Sequence, residues 1–236
     1  MFSKRLPGPA MKPRHWFWEM VLEIVIIIIG VLVSIWISNL FQQGQDRRKE
    51  NFYLQKIEYD LQRDLSQLSS ERQQRAGQLQ AAKEMTAALQ AAGSGENITK
   101  VIQGFQQLLV AVRFRPSDAT FISLKSTGDL ELLRNDSLVT GLIELYSNSF
   151  ESLELNNEDV NTFRNNFILP YAVQHLDFRV RVIDASVRLE EDFGPMNQLY
   201  NQALYESISL ESTVDAYDQS IAAVEELLGM LGRELR

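Results

Sequence analysis

The 236-residue sequence predicts an all-α protein. A single N-terminal transmembrane helix continues into an antiparallel helical bundle of three to four long helices with short accessory helices. Two observations carry this. Residues 20–40 form an apolar run of 21 residues whose one charge is Glu23. From residue 42 onward, apolar side chains recur at spacings of three and four, without the alternation of strands or an internal repeat. The expected division is a basic tail over 1–15, a transmembrane helix over 16–41 and a helical soluble domain over 42–236.

The apolar run sets the first element. At ~1.5 Å per residue it covers about 31 Å, close to a bilayer's ~30 Å hydrocarbon core. A secretory signal has a shorter core and small residues before its cleavage point. Cleavage before Asn39 would place Trp36 and Ser38 at those positions, and Trp36 does not fit, so an uncleaved anchor is expected. Trp16 and Trp18 flank one end and Trp36 and Phe41 the other, where amphipathic rings favour the headgroup layer. The tail carries Lys4, Arg5, Lys12 and Arg14 and no acid, and these cations suit topology signalling or contact with anionic lipid. Arg47, Arg48, Lys49 and Lys56 nearly balance them on the other side. Long domains cross irrespective of charge, so the tail is expected in the cytoplasm and the domain outside.

Glu23 is the anomaly in this segment. At about 100° per residue, Glu23, Gly30 and Ser34 lie close to one line with Ser38 beside it. Gly30, Ser34 and Ser38 make a small-x-x-x-small ridge, which lets two helix backbones approach and hydroxyls bond across the contact. Three readings fit: an interfacial acid beside incidental small residues, a helix–helix contact, and a proton or ion path. The stripe Glu23, Gly30, Ser34, Ser38 is the candidate contact for self-association or for another membrane protein.

Charge and composition exclude several functions. Removing the four basic and two acidic residues of 1–41 from totals of 23 and 31 leaves 19 and 29, a net charge of −10. Such a domain repels nucleic acid. The absence of cysteine excludes disulfides, thiolate metal sites and thiol nucleophiles. His15 and His175 are the two histidines, and neither has a partner at zinc spacing. No phosphate loop, Gly-x-Ser-x-Gly elbow or His-Glu-x-x-His helix occurs. The expectation is a protein that is not an enzyme, with no cofactor and no metal.

The soluble elements follow in order. Leu54, Ile57, Leu61, Leu65 and Leu68 begin a stripe that Leu79, Ala82, Met85 and Leu89 resume. Arg72 and Arg75 interrupt it, which predicts that the helix leaves its packing partner there. Gly44 is the one helix-weakening residue between Phe41 and Phe52, so this helix and the apolar run are expected to be continuous until Gly93-Ser94-Gly95. A second helix is expected over 97–114, ended by Pro116. A short helix capped by Ser117 or Asp118 runs to Leu124, and Gly128 breaks the chain before 129–133. Asp136 or Ser137 is the expected N-cap of a long helix to Pro170. Residues 171–193 are irregular, with 180–187 open to a strand fragment or a helical turn. Gly194-Pro195 opens another helix, and a last one is expected over about 210–235. Residues 189–232 hold nine acids and no Lys or Arg. This reads as a solvated face, a cation site, or a partner for Arg63, Arg72 and Arg75. The Asn97 and Asn135 sequons read more naturally as helix caps than as glycosylation acceptors.

The run WEMVLEIVIIIIGVLVSIWISN resembles the opening of a bacterial family of unknown function, domain of unknown function 6090. Glu23, Gly30 and Asn39 match its pattern, as does the charged QDRRKENFYLQKIEYDLQRDL. Ser34, Trp36, Ser38 and Leu40 depart from it. RFRPSDATFISLKSTGDLELLRNDSLVTGLIELYS resembles the family's second block. The resemblance implies single-pass membrane proteins with a helical domain and brings no activity. The resulting expectation is a protein of the bacterial inner membrane, its soluble domain periplasmic, with the lipid bilayer and a second copy or another membrane protein as partners. It would bind or scaffold. The rivals are a sensor with a pocket among Phe163, Phe167, Tyr171, His175 and Phe178, and an ion- or force-coupling subunit using Glu23.

Overall fold

The computed structural model describes residues 13–91, 95–175 and 196–235. It divides into two units, Met1–Asn51 and Phe52–Arg236. No strand occurs among the described residues. Helix α1 (Pro13–Gln90) runs unbroken through Gly44, as the sequence led us to expect.

The second unit adds α2 (Gly95–Leu108), α3 (Ala119–Thr127), α4 (Asp136–Glu144), α5 (Phe150–Phe163), α6 (Leu169–His175) and α7 (Met196–Glu234). π-helical turns at Leu145–Ser149 and Arg164–Ile168 join α4, α5 and α6 into one rod. Contacts fix the directions. Gln90 meets Tyr200, Lys83 meets Glu211 and Arg72 meets Asp218, so α7 opposes α1. Asp64 meets Tyr146 and Arg75 meets Asn157, so the α4–α6 rod follows α1's direction. Helix α2 supplies the reason, because Gln78 bonds Gln107 and Gly104 lies on Met85, carrying the chain back along α1 first. A Cβ on Gly104 would sit 3.0 Å from that of Met85, so glycine permits the approach.

Two apolar cores form. One gathers Leu54, Ile57, Leu61 and Leu68 of α1 with Phe121, Leu138, Leu142, Leu153, Val224 and Leu231. The other gathers Ala82, Met85, Phe105, Leu108, Val160, Tyr171, Leu199 and Ala203. A 14-residue helix such as α2 is marginal alone in water, so burial of Val101, Phe105 and Leu108 holds it.

Local chemistry accounts for most boundaries and corrects several expectations. Helix α2 stops at Leu108 instead of Phe114. Residues 111–118 leave the helix because Phe114 buries against Phe150, ring centroids 4.8 Å apart, and Pro116 disfavours helical backbone at Arg115. Gly128 ends α3 at φ 77°, a left-handed conformation suited to glycine. Asn135 caps α4, as its sequon suggested and in place of Asp136 or Ser137, its side chain accepting from the Leu138 N–H at 3.1 Å. Asp118 stands at the N-cap of α3 without a side-chain capping bond. Pro170 does not end its helix, which continues to His175. The π turn just before it lets the rod accommodate a ring that clashes with the i−4 carbonyl and lacks an N–H. The two helices expected after Pro195 are the single α7. Residues 180–187 lie outside the described residues.

Candidate functional site

In the N-terminal unit the apolar run presents its side chains outward. Ile24 through Ile29, Val31 through Val33, Ile35 through Ile37 and Leu40 are all exposed, and an 18-residue stretch has no residue buried within the chain. This is one helix long and apolar enough to cross a membrane. Glu23, Gly30, Ser34 and Ser38 are exposed on it, and nothing approaches the position a Gly30 Cβ would take. Ser34 donates its hydroxyl to the Gly30 carbonyl at 2.8 Å, so that proton is already used within the helix, while its oxygen lone pairs still face outward. Trp18, Trp36 and Phe41 are 65, 64 and 71 % exposed. Trp16 and Arg14 lie in the helix, and Lys4, Arg5 and Lys12 lie outside the described residues.

The second unit holds a feature the sequence misled on. Arg75 does not mark a departure from the packing partner, because it is 1 % exposed. Its Nε and Nη2 donate to Asn157 Oδ1 at 2.9 and 2.7 Å, and Nη1 donates to Gln78 Oε1 at 2.9 Å. Nη2 also reaches the Val112 carbonyl at 3.2 Å. Asn157 donates to Tyr217 Oη at 3.0 Å, and Tyr217 donates to Glu71 Oε2 at 2.9 Å. Gln78 donates onward to the carbonyls of Gln107 and Val110. This polar layer lies between the two apolar cores and ties α1, α5, α7 and the 109–118 connection together. Burial lowers the Arg75 pKa, and burial followed by the Glu71 charge raises that of Tyr217. Satisfied networks of this kind fix one arrangement of the elements around them.

Glu206 extends the layer toward the second core. It is 1 % exposed, and burial pushes its carboxyl up to about 7 against the pull of Arg75 and Arg164. Its Oε2 has no hydrogen-bond partner among the described residues, nor do Gln202 Oε1 one turn before it and Arg164 Nη1. Arg164 opens the second π turn and donates instead to Asn165 at 2.9 Å. Asp64 and Glu71 are likewise raised, in both cases mainly by burial.

The acidic stretch of α7 serves partly as a partner for α1. Arg72 binds Asp218 through two bonds of 2.9 Å and Lys83 binds Glu211 at 3.2 Å, both exposed. Arg63 makes no such pair with a described residue. The aromatics proposed as a sensor pocket pack on one another and on their neighbours: Phe163 lies 4.9 Å from Phe167 and 4.5 Å from Tyr205, and Tyr171 stacks on Phe105 at 5.5 Å. Phe178 and the His175 side chain fall outside the described residues.

A family model described as "Family of unknown function (DUF6090)" matches residues 23–168. No curated protein and no solved structure matches the chain.

Proposed function

Since the chain belongs to the family of unknown function DUF6090, membership supplies no activity, and from the chain's own residues we propose a single-pass protein of the bacterial inner membrane that binds or scaffolds without catalysis. The carrying observation is the outward-facing apolar helix with its small-residue ridge. Exposed apolar surface on this scale needs lipid or another helix against it, at ~25 cal/mol per Å². The ridge of Gly30, Ser34 and Ser38, with Glu23 on the same face, then serves as a contact with a second copy or another membrane protein. An acid near the interface reaches headgroups or water and costs well below the ~2.5–3.5 kcal/mol of a charge at the bilayer centre. The basic tail sets the topology, leaving the soluble unit in the periplasm. Its buried polar layer supports binding, because it holds a rigid surface while leaving few charged groups arranged for catalysis.

Single cysteines test the contact in native membranes. Gly30→Cys, Ser34→Cys and Ser38→Cys are expected to crosslink strongly, while Ile28→Cys, Leu32→Cys and Trp36→Cys remain weak. Equal yields from the two sets would remove the stripe.

A further inference from the structure

The connection between α2 and α3 presents an exposed face that neither the family nor the anchor accounts for. Ala111, Arg113 and Arg115 are exposed, and Val112 and Phe114 between them are buried. That alternation is the period of an extended chain, and Pro116 holds Arg115 to extended backbone. Buried and half-buried side chains clamp the segment from behind. Gln78 takes the Val110 carbonyl at 2.7 Å, Arg75 and Asn161 share that of Val112, and Asp64 accepts from the Ser117 N–H at 2.7 Å.

The outward residues keep their backbone groups unused. The N–H and C=O of Ala111, Arg113 and Arg115 make no hydrogen bond to any described residue. On an extended chain these three residues direct their backbone groups to one edge, opposite that of Val112. Unpaired edges of this kind are templates for an added strand.

A groove of about 730 Å³ borders the Ala111–Arg113 part of this segment, with a polar stripe of α1 on the other side. The stripe is Arg63, Ser66, Ser70 and Gln74, spaced to lie on one helix face. Neither Arg63 nor Arg113 forms an ion pair with a described residue, in a chain of net charge −8. The one acid lining this groove among the described residues, Glu71, is engaged by Gln67 and Tyr217. The smaller groove beyond Arg113 also contains Glu154 and Glu158, so positive character is concentrated in the larger one.

We propose that this groove receives an extended acidic segment of a partner protein, which pairs its backbone with the Ala111–Arg113 edge and its carboxylates with Arg63 and Arg113. From Arg63 to Gln74 the floor runs about 16 Å at ~1.5 Å per residue, room for about five extended residues at ~3.3 Å each. This deepens the binding reading by naming a partner class. It is tested separately from the membrane contact, because peptide titration reads the soluble unit and crosslinking reads the apolar helix.

The probe is fluorescein-labelled Glu-Val-Glu-Val-Glu, titrated with the full chain in detergent micelles and followed by anisotropy. Saturable binding is expected, weakened at least about tenfold in the Arg63→Glu/Arg113→Glu variant, whose exposed positions leave its circular dichroism unchanged. N-methylation of one alternate set of probe nitrogens should weaken binding about tenfold, while methylation of the other set does not. Lys-Val-Lys-Val-Lys should not bind. No binding of the acidic probe, or equal binding by the double variant, overturns the proposal. Equal tolerance of both methylation patterns overturns the edge pairing. Probe binding lost as chain concentration rises, together with self-association of the chain that the double variant abolishes, puts a second copy in the groove and overturns the partner reading.

Discussion

Arg75→Ala is expected to destabilise the Phe52–Arg236 unit by about 3–5 kcal/mol, the range for removing one member of a buried charged network. The substitution strips the donor from Asn157 Oδ1 and Gln78 Oε1 at once and leaves the Val112 carbonyl to Asn161 alone. It also removes the buried cation facing Glu206 and Glu71. Arg72→Ala is the control. That arginine sits three residues away, pairs with Asp218 in solvent, and an exposed pair contributes ~0–1 kcal/mol. Denaturant unfolding of the full chain in detergent, read by far-UV circular dichroism, separates the two. Equal losses would show that Arg75 is not holding the cores together.

Glu206 sets the pH dependence of stability, with a sign opposite to that of a salt-bridged acid. Its folded pKa is raised to about 7 from 4.5, so between those values the folded state holds a proton that the unfolded state has released. The stability it contributes is full below about 4.5 and is lost as pH rises through about 7. At ~1.36 kcal/mol per pKa unit, the cost of ionising it in the fold is about 3 kcal/mol. Asp64 and Glu71 shift the same way and add to the trend. Glu206→Gln keeps the shape and cannot ionise. It is therefore expected to melt roughly 6–12 °C above the parent at pH 8 and to match it near pH 4.5. A parent that gains stability on going from pH 5 to pH 8, or a variant offset that is the same at both, contradicts this account.

Elements with one long apolar period were legible in the sequence. The stripe from Leu54 to Leu89 gave α1, the step at Gly128 was visible, and the run through Phe41 gave a helix that continues without a break. Two of the failures share a physical cause, a partner distant in sequence. Arg75 in an apolar stripe reads as a gap, since nothing nearby announces that Asn157 will meet it 82 positions later. Phe114 continues the helical period of α2, yet its ring is needed against Phe150. Pro170 stops a regular helix, and only the π turn before it lets this rod pass through. The buried acid Glu206 looked like one more member of an acidic face. The one available signal was its place in the apolar stripe with Leu199, Ala203 and Leu210.

Whether lipid surrounds the apolar part of α1 is read by alkaline carbonate extraction of native membranes. The account predicts that the intact chain stays with the sedimented membranes after the wash and enters solution only with detergent. Release of the intact chain into the carbonate supernatant would contradict it.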